Sequence, residues 1–223
     1  MCGRYANHVE AMHGWTDILK DWPDEIAPNY NIAPTQMVAS FTAQGGMPMR
    51  WGLIPPWTTE AGGFSTFNAR LDTVAIKPSF KTAWARSRRC LIPALGYYEW
   101  REEEGAKQAY LVKRCDDNVL VFGGLYEPGN NAGKPYSCTI LTRPATGYLL
   151  DLHRVTPVFI QPEQAQDWLT GDVAVAQKIA NQPYADDYEY FPVDNQVNKA
   201  SNNSPQLIKK ISIRPRPQQS FGF

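Results

Sequence analysis

A single α+β domain is what the sequence predicts, with a strongly bent, mainly antiparallel sheet or barrel carrying short flanking helices. Three observations lead there. Proline and glycine punctuate the chain at short intervals, 18 and 16 of them. Most apolar stretches between them run for only about four to eight residues, which favours strands over helices. Finally, 43% of the 223 residues are hydrophobic, and no internal repeat or long linker divides them, so one domain with a substantial core accounts for the chain.

Taken in order, residues 9–20 are expected to form the first helix, followed by strands at 37–41 and 49–53 and a second helix at 79–86. Strands at 90–93, 97–101, 109–113, 119–126 and 136–142 come next. Most are rich in aromatic and β-branched residues, which suit a pleated and partly buried surface. The polar segment 102–107 and the Gly/Asn-rich segment 128–134 mark turns between them. Residues 146–152 are expected as a turn or short helix, 158–160 as a strand, and 162–169 and 173–180 as helices. The Pro, Gln and Ser content of 211–223 predicts a mobile tail.

Composition excludes several functions. Lys plus Arg and Asp plus Glu both total 22, so a nucleic-acid partner must be met by a local patch rather than a global basic field. The first residues lack a basic stretch followed by an apolar one, and no apolar run approaches membrane-spanning length; a soluble, cytoplasmic protein is expected. Cys2, Cys90, Cys115 and Cys138 form no C-x-x-C pair, and no His/Cys/carboxylate cluster has metal-ligand spacing, so neither a metal nor an organic cofactor is expected.

Cys2 is the first residue that suggests chemistry. Removal of Met1 exposes a free α-amine and a thiol on adjacent carbons, with reference pKa values of ~8 and ~8.5, so that modest environmental shifts would raise the nucleophilic fraction of either. Such a 1,2-aminothiol condenses with an aldehyde to a Schiff base and then closes through sulfur to a thiazolidine. Position alone leaves open that Cys2 is a strand residue without chemistry.

Other residues form candidate groupings. Asn68 and Arg70 flank one alanine and share a face of an extended segment, where they either act jointly on a ligand or satisfy a turn. Glu99, between Tyr98 and Trp100 in an apolar run, is either a general acid/base with a raised pKa or an outward-facing carboxylate. His153 is one of three histidines, and a lone histidine more often packs than reacts.

The order of motifs is more telling than any one of them. Cys2-Gly3-Arg4-Tyr5 is followed by Asn29-Tyr30-Asn31-Ile32-Ala33-Pro34, Arg50-Trp51-Gly52-Leu53-Ile54-Pro55-Pro56-Trp57 and Asn68-Ala69-Arg70-Leu71-Asp72-Thr73. Arg89-Cys90-Leu91-Ile92-Pro93, Gly96-Tyr97-Tyr98-Glu99-Trp100, His153-Arg154-Val155-Thr156-Pro157, Val197-Asn198 and Pro205-Gln206-Leu207-Ile208 complete the set. The ordered whole resembles the SOS-response-associated peptidase (SRAP) family, which includes abasic-site shields of bacteria and vertebrates.

That resemblance implies an SRAP-like domain over 1–210 with its mature start at Cys2. It implies a monomer whose partner is single-stranded DNA containing an abasic site, in a cytoplasmic protein associated with the nucleoid when DNA is damaged. Cys2 would form a thiazolidine DNA–protein crosslink with the ring-opened aldehyde, shielding the lesion from strand breakage in a lyase-like reaction. Asn68 would hold the opened sugar or the Cys2 amine, Glu99 would shuttle protons, and His153 would assist ring opening or reversal. DNA contacts are expected from Arg4, Asn31, Arg70, Arg89 (in a cluster with Arg86 and Arg88) and Arg154, with Trp57 preferred over Trp51 as a stacking face.

The chain departs from the family pattern after His153, where Arg154 follows at once and Val155 occupies the usual arginine position; Leu95 replaces a commonly polar residue. Two other readings stay open: a thiol autopeptidase that cleaves its own Met1–Cys2 bond, and a passive single-strand-binding module. The tail from Gln218 to Phe223 faintly resembles a sliding-clamp-binding peptide.

Overall fold

The computed structural model describes residues 2–58, 66–103, 105–130, 133–184 and 187–212. Met1 and all but the first two residues of the expected tail lie outside these. The strands are β1 (Tyr5–Asn7), β2 (Asn29–Ile32), β3 (Met37–Thr42), β4 (Gly45–Trp51), β5 (Asn68–Arg70), β6 (Arg89–Ala94), β7 (Gly96–Glu103), β8 (Ala106–Arg114), β9 (Leu120–Glu127), β10 (Ser137–Pro144), β11 (Val155–Pro157) and β12 (Tyr188–Pro192). Among the described residues three α-helices accompany them: α1 (Pro78–Ala85), α2 (Ala165–Thr170) and α3 (Val173–Asn181).

The α+β class and its mainly antiparallel pairing are as expected, but the strands form two sheets where one was expected. The smaller has the order β12-β8-β7-β1-β2. The larger runs β11-β10-β4-β3-β6-β9, with β5 alongside β10, and β9 pairs again with β10, so five strands close on themselves as a barrel. Strand β6 is buried from end to end and β9 at every residue but Tyr126, and their apolar runs were therefore the easiest to read. Two glycines in β9 let the layers approach. A Cβ on Gly124 would lie 2.8 Å from the Thr139 oxygen, and one on Gly123 would lie 2.9 Å from the Trp168 ring.

Two of the elements absent from the sequence reading are short and polar. Strands β2 (NYNI) and β5 (NAR) have no apolar run, and they are extended because their backbones complete ladders with β1 and β10. The expected helix at 9–20 is a 3-10 turn at Val9–Met12 followed by turns, because Gly14 adopts a φ of 77°. The apolar periodicity in that segment is real all the same: Ala11, Trp15 and Leu19 are buried in the core. The expected strand at 158–160 contributes only a bridge between Phe159 and Phe122, while the ladder falls on β11. The helix expected at 162–169 enters through a 3-10 turn at Pro162–Gln164, and the segment 146–152 holds a 3-10 turn at Gly147–Asp151.

Candidate active site at the amino terminus

The first residues of the chain are brought to the seam between the two sheets. Strand β1 lies antiparallel to β7, pairing Tyr5 with Tyr97, and the Tyr98 amide donates to the Arg4 carbonyl at 2.9 Å. This register carries the segment before β1 along the β7 residues that include Glu99. Cys2 is fully buried among Tyr5, Trp51 and other apolar residues. From the larger sheet, β5 runs parallel to β10 and aims the Asn68 side chain inward, so that its Nδ2 donates to the Cys2 carbonyl at 2.6 Å. Asn68 Oδ1 is buried with no hydrogen-bond partner among the described residues.

His153 arrives on the segment that leads into β11. Its Nδ1 lies 3.9 Å from Glu99 Oε1, accepts from the Val155 amide at 3.1 Å and lies 2.9 Å from the Val155 carbonyl oxygen. The phenol of Tyr97 and the hydroxyl of Thr156 meet at 3.1 Å and tie β7 to β11, fixing the separation of Glu99 and His153. Neither member of that tie was suggested by the sequence, because a buried hydroxyl pair leaves no pattern in it.

The electrostatics differ from those expected for Cys2. Burial pushes its thiol well above the ordinary range, and the nearby Glu99 charge pushes it further the same way. The thiolate is thereby disfavoured, and sulfur must lose its proton as it reacts. Glu99 is 4% exposed, and its pKa is raised, chiefly by desolvation, with attraction to His153 working in the opposite direction. A carboxyl raised by burial and set beside a buried thiol is placed to receive that proton. The four residues expected to carry chemistry thus converge from four segments far apart in sequence.

The expected DNA contacts divide into two groups. Arg70, Arg154 and Trp57 are exposed, Arg70 pairing with Asp72. Trp51, by contrast, is fully buried against Tyr5 and donates its indole N–H to the Phe67 carbonyl at 2.8 Å. Gly52, at a φ of 125°, turns the chain out of β4 toward Trp57. A side chain there would strike Arg50, whose Nη1 donates to the Gly52 oxygen at 2.6 Å. The loop is held from below by Lys134, a buried lysine whose Nζ donates to the Pro55 carbonyl at 2.9 Å. Lys134 lies in a segment that the sequence marks only as a turn.

Asn31 and Arg89 are turned into the protein. Asn31 is fully buried: its amide donates to the Val197, Lys199 and Asn202 carbonyls, and its oxygen accepts from Arg4. Arg4 is half-buried in the same network, donating also to the Val197 oxygen at 2.8 Å. These two residues fasten the C-terminal segment beneath β1 and β2. Arg89 is 1% exposed and donates to the Trp168 and Gly171 carbonyls at the end of α2. Its neighbour Arg88 pairs with the buried Glu127.

Arg89→Leu is therefore expected to destabilise the fold by on the order of 3 kcal/mol, since it strands two carbonyls at a helix end. Urea unfolding measures this, and the folded fraction should bind a single-stranded oligonucleotide as the parent does. Weaker binding with unchanged stability would instead return Arg89 to the DNA surface.

Comparison with known proteins identifies the family. The family model for SOS response associated peptidase (SRAP) matches residues 1–200. The chain is 37% identical over 228 residues to abasic site processing protein YoqW of Bacillus subtilis, covering 94% of this chain and 99% of that protein. It is 28% identical over 243 residues to abasic site processing protein HMCES of Mus musculus, covering 87% of this chain and 69% of the other. A solved structure from Bordetella bronchiseptica superposes with a TM-score of 0.75 at 26% identity, covering 86% of this chain and all of that one. Another, from Bacteroides thetaiotaomicron, reaches a TM-score of 0.81 at 21% identity over 95% of this chain and shares its fold. With the family model spanning most of its length and its motifs gathered around one buried cysteine, the chain belongs to the SOS response associated peptidase family.

Proposed function

We propose that this protein processes abasic sites in single-stranded DNA by capturing them covalently through Cys2. The observation that carries the proposal is the placement of buried Cys2 against Asn68 and under the charge of Glu99, which in turn lies 3.9 Å from His153. Relatives named for abasic site processing support the choice of substrate.

Removal of Met1 frees the Cys2 amine. The amine attacks the ring-opened C1′ aldehyde, and loss of one water leaves a Schiff base. Sulfur then adds to the imine carbon; its proton passes through Glu99 to the former imine nitrogen, and the thiazolidine closes with no further loss of mass. Asn68 holds the Cys2 carbonyl, and its orphaned Oδ1 is an acceptor for the amine or a sugar hydroxyl. His153 exchanges a proton with the sugar oxygen as the ring opens. Arg70 and Arg154 meet phosphates, and Trp57 stacks a neighbouring base.

A second reading, cleavage of the Met1–Cys2 bond by the same residues, is favoured by the β1–β7 register that runs the segment holding Cys2 along Glu99. It predicts that Met1 persists in Glu99→Gln protein, as intact-mass measurement would show.

Protein verified to lack Met1 is expected to form a denaturant-stable adduct with an oligonucleotide bearing one abasic site. The adduct mass should fall one water short of the sum, and protein retaining Met1 should form none. Native-gel retention without any adduct would overturn covalent capture and favour a passive binding module.

A further inference from the structure

The face of β7 that carries Glu99 does not end at the acid/base pair. Side chains alternate along a strand, so Tyr97, Glu99, Arg101 and Glu103 share one face. Tyr110 lies directly opposite Glu99 on β8, and Tyr190 of β12 pairs with Val112, itself opposite Tyr97. Around Arg101 these residues form a compact stack. The Arg101 guanidinium lies 4.6 Å from the centre of the Tyr110 ring and 5.7 Å from that of Tyr190. Its Nη2 donates to the Tyr110 hydroxyl at 2.8 Å and to Glu103 at 2.6 Å. Tyr148 then stacks on Tyr190 with ring centres 4.4 Å apart and planes inclined by 19°.

Tyr148 is the outermost ring, 51% exposed. It stands on the 3-10 turn Gly147–Asp151, which runs directly into His153, whose amide donates to the Leu149 carbonyl at 3.1 Å. The stack is thus joined to the candidate active site at both ends, through Glu99 on the sheet and through His153 on the turn.

From this continuity we infer that Tyr148, backed by Tyr190 and Arg101, is a second stacking platform that receives an unpaired nucleobase flanking the captured site on the same strand. The inference rests on the proposed single-stranded substrate. A nucleotide without a base leaves its neighbours with an uncovered face, and an exposed aromatic ring can cover it whatever the base, because every base has a π-face. The charge on the surface fits the same occupant. Glu103 neutralises Arg101, so the stack offers a flat ring rather than a net charge, which suits a base better than a phosphate.

The test uses the full chain lacking Met1 and an oligonucleotide carrying a tetrahydrofuran abasic analogue, which has no aldehyde and allows equilibrium binding to be measured. Tyr148→Ala is expected to weaken binding about tenfold, with Tyr148→Trp restoring it. On a strand whose flanking nucleotides are also tetrahydrofuran, Tyr148→Ala and the parent should bind alike. With a true abasic site at saturating concentration, the Tyr148→Ala adduct should still form to the same end point. Unchanged binding of Tyr148→Ala to the base-bearing strand would overturn the platform, and so would an equal loss on the baseless strand. If the parent binds and forms an adduct in those cases, the capture reading stands and only the platform falls.

Discussion

Cys2→Ser protein freed of Met1 is expected to yield no denaturant-stable adduct with abasic DNA, a loss to below detection. Serine keeps the α-amine and the hydrogen bond from Asn68 to the residue 2 carbonyl, so Schiff-base formation should survive. What it lacks is a sulfur able to close the ring, and an open imine hydrolyses when the protein is denatured. Borohydride added before denaturation should reduce that imine to a stable amine and recover an adduct from Cys2→Ser, separating the task of the amine from that of the thiol. If Cys2→Ser gave a stable adduct without reduction, ring closure through sulfur would be wrong. Because burial holds the Cys2 thiol well above its ordinary range, the wild-type rate should not climb with pH as a free thiolate forms. A rate that did so would place the thiol in solvent.

The second large effect concerns Glu99. Glu99→Gln is expected to slow adduct formation by about 10²–10⁴-fold, the range for loss of a positioned general acid/base. The same substitution should stabilise the fold at neutral and alkaline pH. The folded protein holds the Glu99 proton more tightly than the unfolded chain, because burial disfavours the carboxylate. Wild-type stability therefore falls as pH rises from the ordinary carboxylate range through the raised pKa of Glu99, and a neutral glutamine escapes this. Melting temperatures should be higher for Glu99→Gln above that window, at about 2–4 °C for each kcal/mol in a chain of this size, and should converge with wild type in acid. A variant slower but no more stable at any pH would show that Glu99 is not held in the desolvated state described.

The candidate site could be picked out in the sequence because the proposed chemistry demands particular residue types. An aldehyde-trapping pair requires a cysteine that can become the first residue, and Asn68, Glu99 and His153 stand in motifs whose order is distinctive. Which polar candidates face solvent was harder to read. Asn31 and Arg89 look in sequence like Arg70, yet one is an internal fastener and the other a helix-end cap, because carbonyls left unpaired by irregular segments needed buried donors. Burial is not encoded in the residue type; it depends on what the rest of the chain lays over it.

The sequence by itself determined the α+β class, the long strands β6 to β10, the family and the four residues of the candidate site, since each follows from an apolar run or a local motif. Only the tertiary structure decided that there are two sheets, that short polar segments such as Asn29–Ile32 and Asn68–Arg70 are strands, and that the Val9–Met12 turn breaks at Gly14. It also decided the ionisation of the site. Cys2 and Glu99 are ninety-seven positions apart (99 − 2) in the sequence, and the pairing of β1 with β7 places them together in a buried seam. Desolvation and the interaction between charges depend on distance in space, so no local pattern of residues could have set them.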